Sequence, residues 1–479
     1  MRWHHLTLSI LSIVGICCAI ECPCEDQSLC GVLEVADRPE FYVFLVDNQQ
    51  NRWKDYDWNT VTTVALFAND TLLYPEIYCH AHKHNVRIVT GADHFPLDKL
   101  NNDTLRAEWV DSQIQKVRAK VVEKGYDGIN VDTEDELAAE DAQLLTLLVS
   151  SLRDGLKDIS PYYQVTFDVA WSPDCIDKRC YDYVGLAAAT DFLFVMSYDM
   201  RSQITGPCIA SANTPSRLAR QGVEKFLEMG IDPNLLVLGL PWYGYDYPCE
   251  DETNTTTTVC KIKKVPFRGV ACSDAAGHER DFSLLEEIRR TSTTGRRWDA
   301  SLEAPWWNYV NADDGKIHQV WYDDPQSLLI KVKWAKRLGM RGVGMWTGDF
   351  VYPKSKLHKP IGLSADSPSI VLLKDLMSVV LACAPSRLKS RGTKRSRAYF
   401  GGNILHLPLL SPYSWTRSRW SAVLPSFTAC DLTFVSGLAH REPQSGDGAH
   451  LRVRLLQGAD GGAIGSDRDR YSVEELVMK

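Results

Sequence analysis

Short apolar runs recur along this chain, separated by stretches with helical spacing. The runs are Tyr42–Val46, Thr62–Ala68, Val86–Thr90, Gly128–Val131, Gln164–Val169, Phe192–Met196, Leu235–Leu240 and Gly342–Trp346. Most are apolar at consecutive positions, the pattern of a parallel strand buried on both faces. Between them, Thr104–Lys124 places Leu105, Trp109, Ile114 and Val117 on an approximate apolar stripe, and Ala139–Leu156 follows the fourth run. This strand–helix alternation predicts an α/β fold with a parallel sheet covered by helices. Eight such units fit a closed (β/α)8 TIM barrel, which takes about 250 residues or more. An open doubly wound sheet is the rival. It is disfavoured because polar and aromatic residues follow many of the runs instead of gathering at one switch point.

The two ends of the chain follow other patterns. Arg2, His4 and His5 precede an apolar run from Leu6 to Ile20 with a small residue, Ala19, near its end. That is the layout of a signal peptide over residues 1–20, and the run is short for a membrane anchor. After the eighth run, Ser367-Pro368-Ser369 supplies a cap and a first-turn proline, and Ile370–Leu381 continues apolar. A closing helix is therefore expected, and the barrel domain spans 21–383. Residues 384–479 carry 14 Lys and Arg against 8 Asp and Glu, so they are basic where the preceding part is acidic. Arg387–Arg397 is a basic run, and Gly458–Arg470 is rich in Gly and Asp without periodicity. This predicts a disordered tail in preference to a nucleic-acid or heparin arm.

Composition narrows the setting. A hydrophobic fraction of 44% and a charged fraction of 24% are those of an ordinary globular protein with a sizeable core. The net charge of −8 gives no reason to expect nucleic acid as a partner. Ten cysteines lie from Cys22 to Cys272, an even number that predicts disulfides in an oxidising compartment. Zinc at Cys22-Pro23-Cys24 would need a second Cys or His pair at finger spacing, and none is present. Cys175 with Cys180, and Cys249 with Cys260 or Cys272, are candidate local bridges. Sequons at Asn69, Asn102 and Asn254 mark glycosylation sites that agree with export.

The chemistry concentrates at the fourth run. Side chains alternate along a strand, so Asn130, Asp132 and Glu134 share one face while Ile129, Val131 and Thr133 share the other. Apolar Ile129 and Val131 suit packing beneath the helices. The polar series then faces the barrel axis, with Glu134 at the carboxyl end where barrel enzymes place catalytic residues. Acids complementing the next helix would explain Asp135 and Glu136 but not Asp132 or Asn130, which lie further back. A carboxylic acid positioned to protonate a leaving glycosidic oxygen, with a second carboxylate two residues back to raise its proton affinity, is what glycoside cleavage needs.

Asp127-x-x-Asn130-x-Asp132-x-Glu134 resembles the DxxDxDxE signature of the family 18 glycoside hydrolases, the chitinase family. The resemblance implies a retaining reaction in which the substrate's own 2-acetamido carbonyl attacks the anomeric carbon, forming an oxazolinium ion. It implies Glu134 as acid and then base, with Asp132 holding the acetamido N–H and stabilising the cation. Asn130 stands where many members carry an aspartate, so hydrogen bonding replaces proton sharing there. Met196-Ser197-Tyr198-Asp199 resembles the family's MxYD element, which gives Tyr198 as donor to the acetamido carbonyl and Asp199 as its helper. Gly344-Met345-Trp346 falls where the family places the tryptophan floor under the reacting sugar.

Asp127, inward-facing Asp168, Trp242 and Tyr243 complete the expected substrate-binding set. The aromatic cluster of Trp242, Tyr243, Tyr245 and Tyr247 fits a packed strand end and a sugar-stacking surface equally, with Asp246 as a hydrogen-bond partner in the second case. Segments such as Val165–Pro173, Pro241–Tyr247, Val265–Gly269, Cys272–Gly277 and His318–Asp323 resemble a lysosomal branch of the family. Members of that branch split the GlcNAcβ1-4GlcNAc core left from N-glycans, working from the reducing end. The likeness runs from about Cys22 to Trp346, and residues after Asp349 depart from it. An oligosaccharide with N-acetylglucosamine at its reducing end is therefore the implied partner, with no metal, organic cofactor or membrane required and a monomer preferred. Lysosomal delivery is expected, with secretion as the alternative. An endo-acting chitinase or endo-N-acetylglucosaminidase, and a non-catalytic sugar-binding relative, are the competing functions; retention of Asp132 and Glu134 argues against the last.

Overall fold

The computed structural model describes residues 24–35, 37–46, 49–67, 74–118 and 125–352. The expected signal peptide, Asn69, the closing helix, the domain boundary at 383 and the basic tail lie outside the described residues.

Seven parallel strands come first in the chain: β1 (Glu40–Leu45), β2 (Thr63–Leu66), β3 (Arg87–Gly91), β4 (Gly128–Val131), β5 (Gln164–Ala170), β6 (Phe192–Met196) and β7 (Leu236–Pro241). The chain then leaves the barrel for an antiparallel sheet of β8 (Tyr243–Pro248), β9 (His278–Asp281), β10 (Arg297–Asp299), β11 (Ala304–Val310) and β12 (Ile317–Tyr322). It returns as β13 (Gly342–Trp346), which pairs with both β1 and β7 and closes an eight-stranded parallel barrel. The barrel strands coincide with the eight runs in the sequence to within a residue or two at each end.

Period-two alternation divides each barrel strand between two apolar layers. Val43, Val64, Ile88, Ile129, Val131, Val165, Phe167, Leu238 and Val343 face outward into the layer shared with the helices. Tyr42, Phe44, Ala65, Val89, Phe192, Phe194 and Val237 fill the barrel axis. Phe194 is accommodated only because glycines lie beside it: a Cβ on Gly344 would sit 2.2 Å from its ring, and one on Gly239 2.4 Å away.

The covering helices include α1 (Tyr74–Lys83), α2 (Asp103–Arg118), α3 (Ala142–Lys157), α4 (Tyr183–Ala188), α5 (Ser216–Glu228), α6 (Phe282–Ile288) and α7 (Pro325–Arg337). Helix α3 buries Ala142, Leu145, Leu148, Val149, Leu152 and Leu156, a continuous stripe at three- and four-residue spacing. Helix α7 begins with a capping box between Asp324 and Ser327 and a proline in its first turn. In α2 the buried positions are Val110, Gln113 and Val117, whereas Leu105 is exposed. Side chains lean towards a helix's amino end, so Leu105, in the first turn, overhangs the start of α2 instead of the barrel.

The cysteines form the bridges Cys24–Cys79, Cys175–Cys180, Cys208–Cys272 and Cys249–Cys260, and Cys30 is also disulfide-bonded. The first expected local bridge is present, and the open choice at Cys249 falls to Cys260 because Cys272 pairs with Cys208.

Candidate active site

Strand β4 delivers its polar face to the carboxyl end of the barrel. Asn130 is fully buried and donates through Nδ2 to Thr166 Oγ1 at 2.9 Å and to Asp168 Oδ1 at 2.8 Å. The amide thus spans from β4 to the inward face of β5. Burial, the nearby Asp132 charge and Glu134 push the Asp168 carboxyl well above its usual range, against the Asn130 hydrogen bond. Asp132 is half-buried, and its Oδ1 is enclosed with no hydrogen-bond partner among the described residues. Burial and the Glu134 charge raise its pKa to about 7, and Arg179 opposes them. Two residues on, the Glu134 side chain is 45% exposed at the mouth.

Strands β6 and β13 supply the rest of the floor. The Tyr198 and Trp346 rings stack with centroids 6.4 Å apart, and Tyr243 meets Tyr198 edge-on. Desolvation and the surrounding carboxylates hold the Tyr198 phenol well above its ordinary pKa, so it stays a hydrogen-bond donor. Asp199 turns back in the left-handed region at φ 53°, a conformation in which Asp is tolerated better than most residues. Its backbone N–H donates to Asn213 Oδ1 at 2.6 Å. Its Oδ1 accepts from Tyr243 at 2.6 Å and from Tyr245 at 2.9 Å, which ties β8 to the loop after β6.

Two expected site residues lie elsewhere. Asp127 precedes β4, at the amino end of the barrel, and is fully buried. Its Oδ1 accepts from Leu33 N–H and its Oδ2 from Ile88 N–H, and Oδ2 also lies 2.9 Å from His82 Nε2. With both oxygens engaged there it is an anchor for the strand, not a sugar ligand. Trp242 continues the outward series Leu236, Leu238 and Leu240, and its ring meets Phe282 of α6 beneath the helical layer. Tyr243, on the opposite parity, is the member of that pair that reaches the site. Asp246 is likewise removed from sugar contact: it is buried between His318 at 2.8 Å and Tyr309 at 2.7 Å. Of the sequons, Asn102 and Asn254 are exposed.

Two arginines were not anticipated. Arg179, only 1% exposed, approaches Glu134 Oε2 at 3.1 Å. It comes from the loop closed by Cys175–Cys180, which adds a short ladder to the segment after β4 through Leu137. Arg268, from a hairpin between β8 and β9, donates to the Glu134 carbonyl at 3.4 Å and lies 3.8 Å from Glu134 Oε2. Asp177 joins both guanidinium groups. The bridge of Cys175 to Cys180 was the available signal for Arg179, since a five-residue disulfide loop fixes whatever it carries.

An eight-stranded barrel with a half-buried and an exposed carboxylate at the end of β4, over a floor of stacked aromatic rings, defines a barrel glycoside hydrolase. The chain belongs to glycosyl hydrolases family 18, whose sequence profile matches residues 45–350. Di-N-acetylchitobiase of Mus musculus is 42% identical over 347 residues, which cover 72% of this chain and 91% of that protein. Di-N-acetylchitobiase of Homo sapiens is 41% identical over 331 residues, covering 69% and 83%. Among solved structures, the class V chitinase of Nicotiana tobaccum superposes with a TM-score of 0.54 at 16% identity, over 66% of this chain and 95% of that one. At that identity the likeness shows the fold alone.

Proposed function

We propose that the protein is an exo-type glycosidase of the lysosome that hydrolyses the GlcNAcβ1-4GlcNAc core of N-glycan-derived oligosaccharides from the reducing end, by substrate-assisted retaining catalysis. The observation that carries this is the state of Asp132: a carboxyl group with one enclosed oxygen unpartnered, immediately behind an exposed carboxylate. A buried acceptor without a donor is costly unless a ligand supplies one, and an acetamido N–H is such a donor.

Glu134 protonates the glycosidic oxygen as its bond to the anomeric carbon breaks. The acetamido oxygen, positioned by the Tyr198 hydroxyl, forms the new bond to that carbon and gives the oxazolinium ion. Asp132, through its unpartnered Oδ1, accepts a hydrogen bond from the acetamido N–H and so offsets the positive charge. Water then attacks the anomeric carbon, passes a proton to Glu134 and reopens the ring, so the anomeric configuration is retained. Trp346 presents an indole face suited to the C–H face of the reacting pyranose. Asn130 holds Asp168 in place by donating a hydrogen bond, and takes no part in proton sharing. The signal-peptide layout, the disulfides and the exposed sequons support entry into the secretory pathway. The likeness to di-N-acetylchitobiases supports the substrate.

The deciding experiment offers chitooligosaccharides with free and with blocked reducing ends. Cleavage confined to the free-ended set is expected; equal cleavage would replace the exo assignment by an endo one. NMR of the first-formed product should show the β-anomer, and an α-anomer would exclude the oxazolinium route.

A further inference from the structure

The hairpin at Phe267–Val270 meets the acid from outside the barrel. Phe267 and Val270 exchange two backbone hydrogen bonds of 2.9 Å, which leaves Arg268 and Gly269 as the two turn residues. Both have positive φ, 43° and 90°, as a tight two-residue hairpin turn of this hand requires. Asn, Asp or Gly would meet that requirement with less strain, so an arginine at the first position points to a use for its side chain. The hairpin is stapled at its base. Cys272 is bridged to Cys208, Ser273 Oγ donates to the Val265 carbonyl at 2.8 Å, and Ile262 N–H donates to the Cys208 carbonyl at 3.0 Å.

Among the candidate site residues, Arg268 contacts Glu134. It engages Glu134 and Asp177 through Nη1; Nε and Nη2 make no hydrogen bond among the described residues. The side chain is 37% exposed, and the guanidinium carbon lies 5.4 Å from the centre of the Phe267 ring, which is itself 43% exposed. An open cation with free donors therefore sits beside an open aromatic face, within 4 Å of the acid carboxylate. The acid protonates the oxygen that leaves with the departing sugar. Arg268 and Phe267 make no hydrogen bond, ion pair or ring contact with Asp132, Tyr198 or Trp346 among the described residues, so they border the acid apart from the groups that hold the reacting sugar.

We propose that Arg268 and Phe267 form the binding site of the departing sugar, with the guanidinium donating to its hydroxyls and the Phe267 ring against its apolar face. This rests on Glu134 being the acid, and it makes the stapled hairpin the wall that limits the leaving-group side of the cleft.

The test compares the N-acetylated trisaccharide, tri-N-acetylchitotriose, with di-N-acetyl-β-chitobiosyl fluoride, which share two donor sugars but differ in having a sugar or a fluoride ion depart. For Arg268→Ala, the loss of kcat/KM on the trisaccharide should exceed the loss on the fluoride by about 10- to 100-fold, the worth of one charge-assisted hydrogen bond. Arg268→Lys should recover part of the loss on the trisaccharide. Equal losses on both substrates, or no loss on either, would overturn the proposal. Fluoride turnover reports that the variant is folded. Wild-type indifference to a blocked reducing end would overturn the exo assignment alone, and the comparison at Arg268 would still decide this one.

Discussion

Asp132 and Glu134 differ because two residues of chain separate an enclosed position from the mouth of the barrel. Glu134→Gln keeps the shape and removes the proposed proton donor. We expect kcat to fall by about 10²- to 10⁴-fold with an unchanged unfolding midpoint, and full residual activity would remove Glu134 from its role. Asn130→Asp tests the neighbouring position. It replaces a donor to Asp168 with a second carboxyl in a buried site, where two like charges cannot both ionise. The variant should match wild type near pH 4 and be less stable at pH 8, by about 1–3 kcal/mol in denaturant titrations. Equal stability at both pH values would count against the buried contact. The inward series Asn130, Asp132 and Glu134 was legible because period-two alternation against Ile129 and Val131 assigns the faces. Asp127 was misplaced for a related reason: motif spacing says which residues travel together, not which end of a strand they occupy. Trp242 was misplaced because aromatic density hid its parity with Leu240.

At the scale of elements, the barrel strands were readable since strands buried on both faces are uniformly apolar. The five-stranded insertion was not, because β8, β11 and β12 mix aromatic, amide and charged residues whose partners lie on neighbouring strands. Buried Gln319 contacts Asn308, and His318 contacts Asp246. Such pairs make sense only after pairing is known. The disulfides rank these elements by the chain each one closes. Cys208–Cys272 closes 64 residues and Cys175–Cys180 closes 5. In the chain-entropy account these are worth about 4 and 2 kcal/mol. The double serine variant of the first pair should therefore unfold at clearly lower denaturant than that of the second. The second should instead lower kcat, because its loop carries Arg179 to Glu134. A reversed order of stabilities would show that strain or residual structure, not loop length, sets their contribution.

For the whole molecule, the consequence of burying so many ionisable groups is a stability that depends on protons. Burial raises Asp132 and Asp274 each to about 7, whereas unfolded carboxyl groups titrate near 4. Two buried histidines add to this. Burial alone would lower His82, but the Asp127 hydrogen bond and charge and the Leu29 carbonyl outweigh it and leave its pKa raised. His318 is raised in the same way between Asp246 and Asp314. Every one of these shifts lies upward, so between about pH 4.5 and 7 the native protein keeps protons that the unfolded chain has released. Unfolding free energy then falls as pH rises, and the histidines extend the fall above 6.5. Carboxyl groups held low, such as Asp93 and Asp174, act in the opposite sense, but only below about pH 4. The unfolding midpoint should therefore be highest near pH 4.5 and decline towards pH 8, each lost kcal/mol lowering it by roughly 2–4 °C. His82→Gln should flatten the decline above pH 6.5, since it removes the imidazolium that clamps Asp127 and the Leu29 carbonyl at the amino end of the barrel. A midpoint that is level or rising from pH 5 to 7.5 would sink this account. None of it was legible in the sequence, where Asp274 and His318 are ordinary polar residues. Their proton affinities are set by partners that come from distant strands and loops. A profile of this shape suits a protein that works in an acidic compartment, and it would support the lysosomal assignment independently of any transport signal.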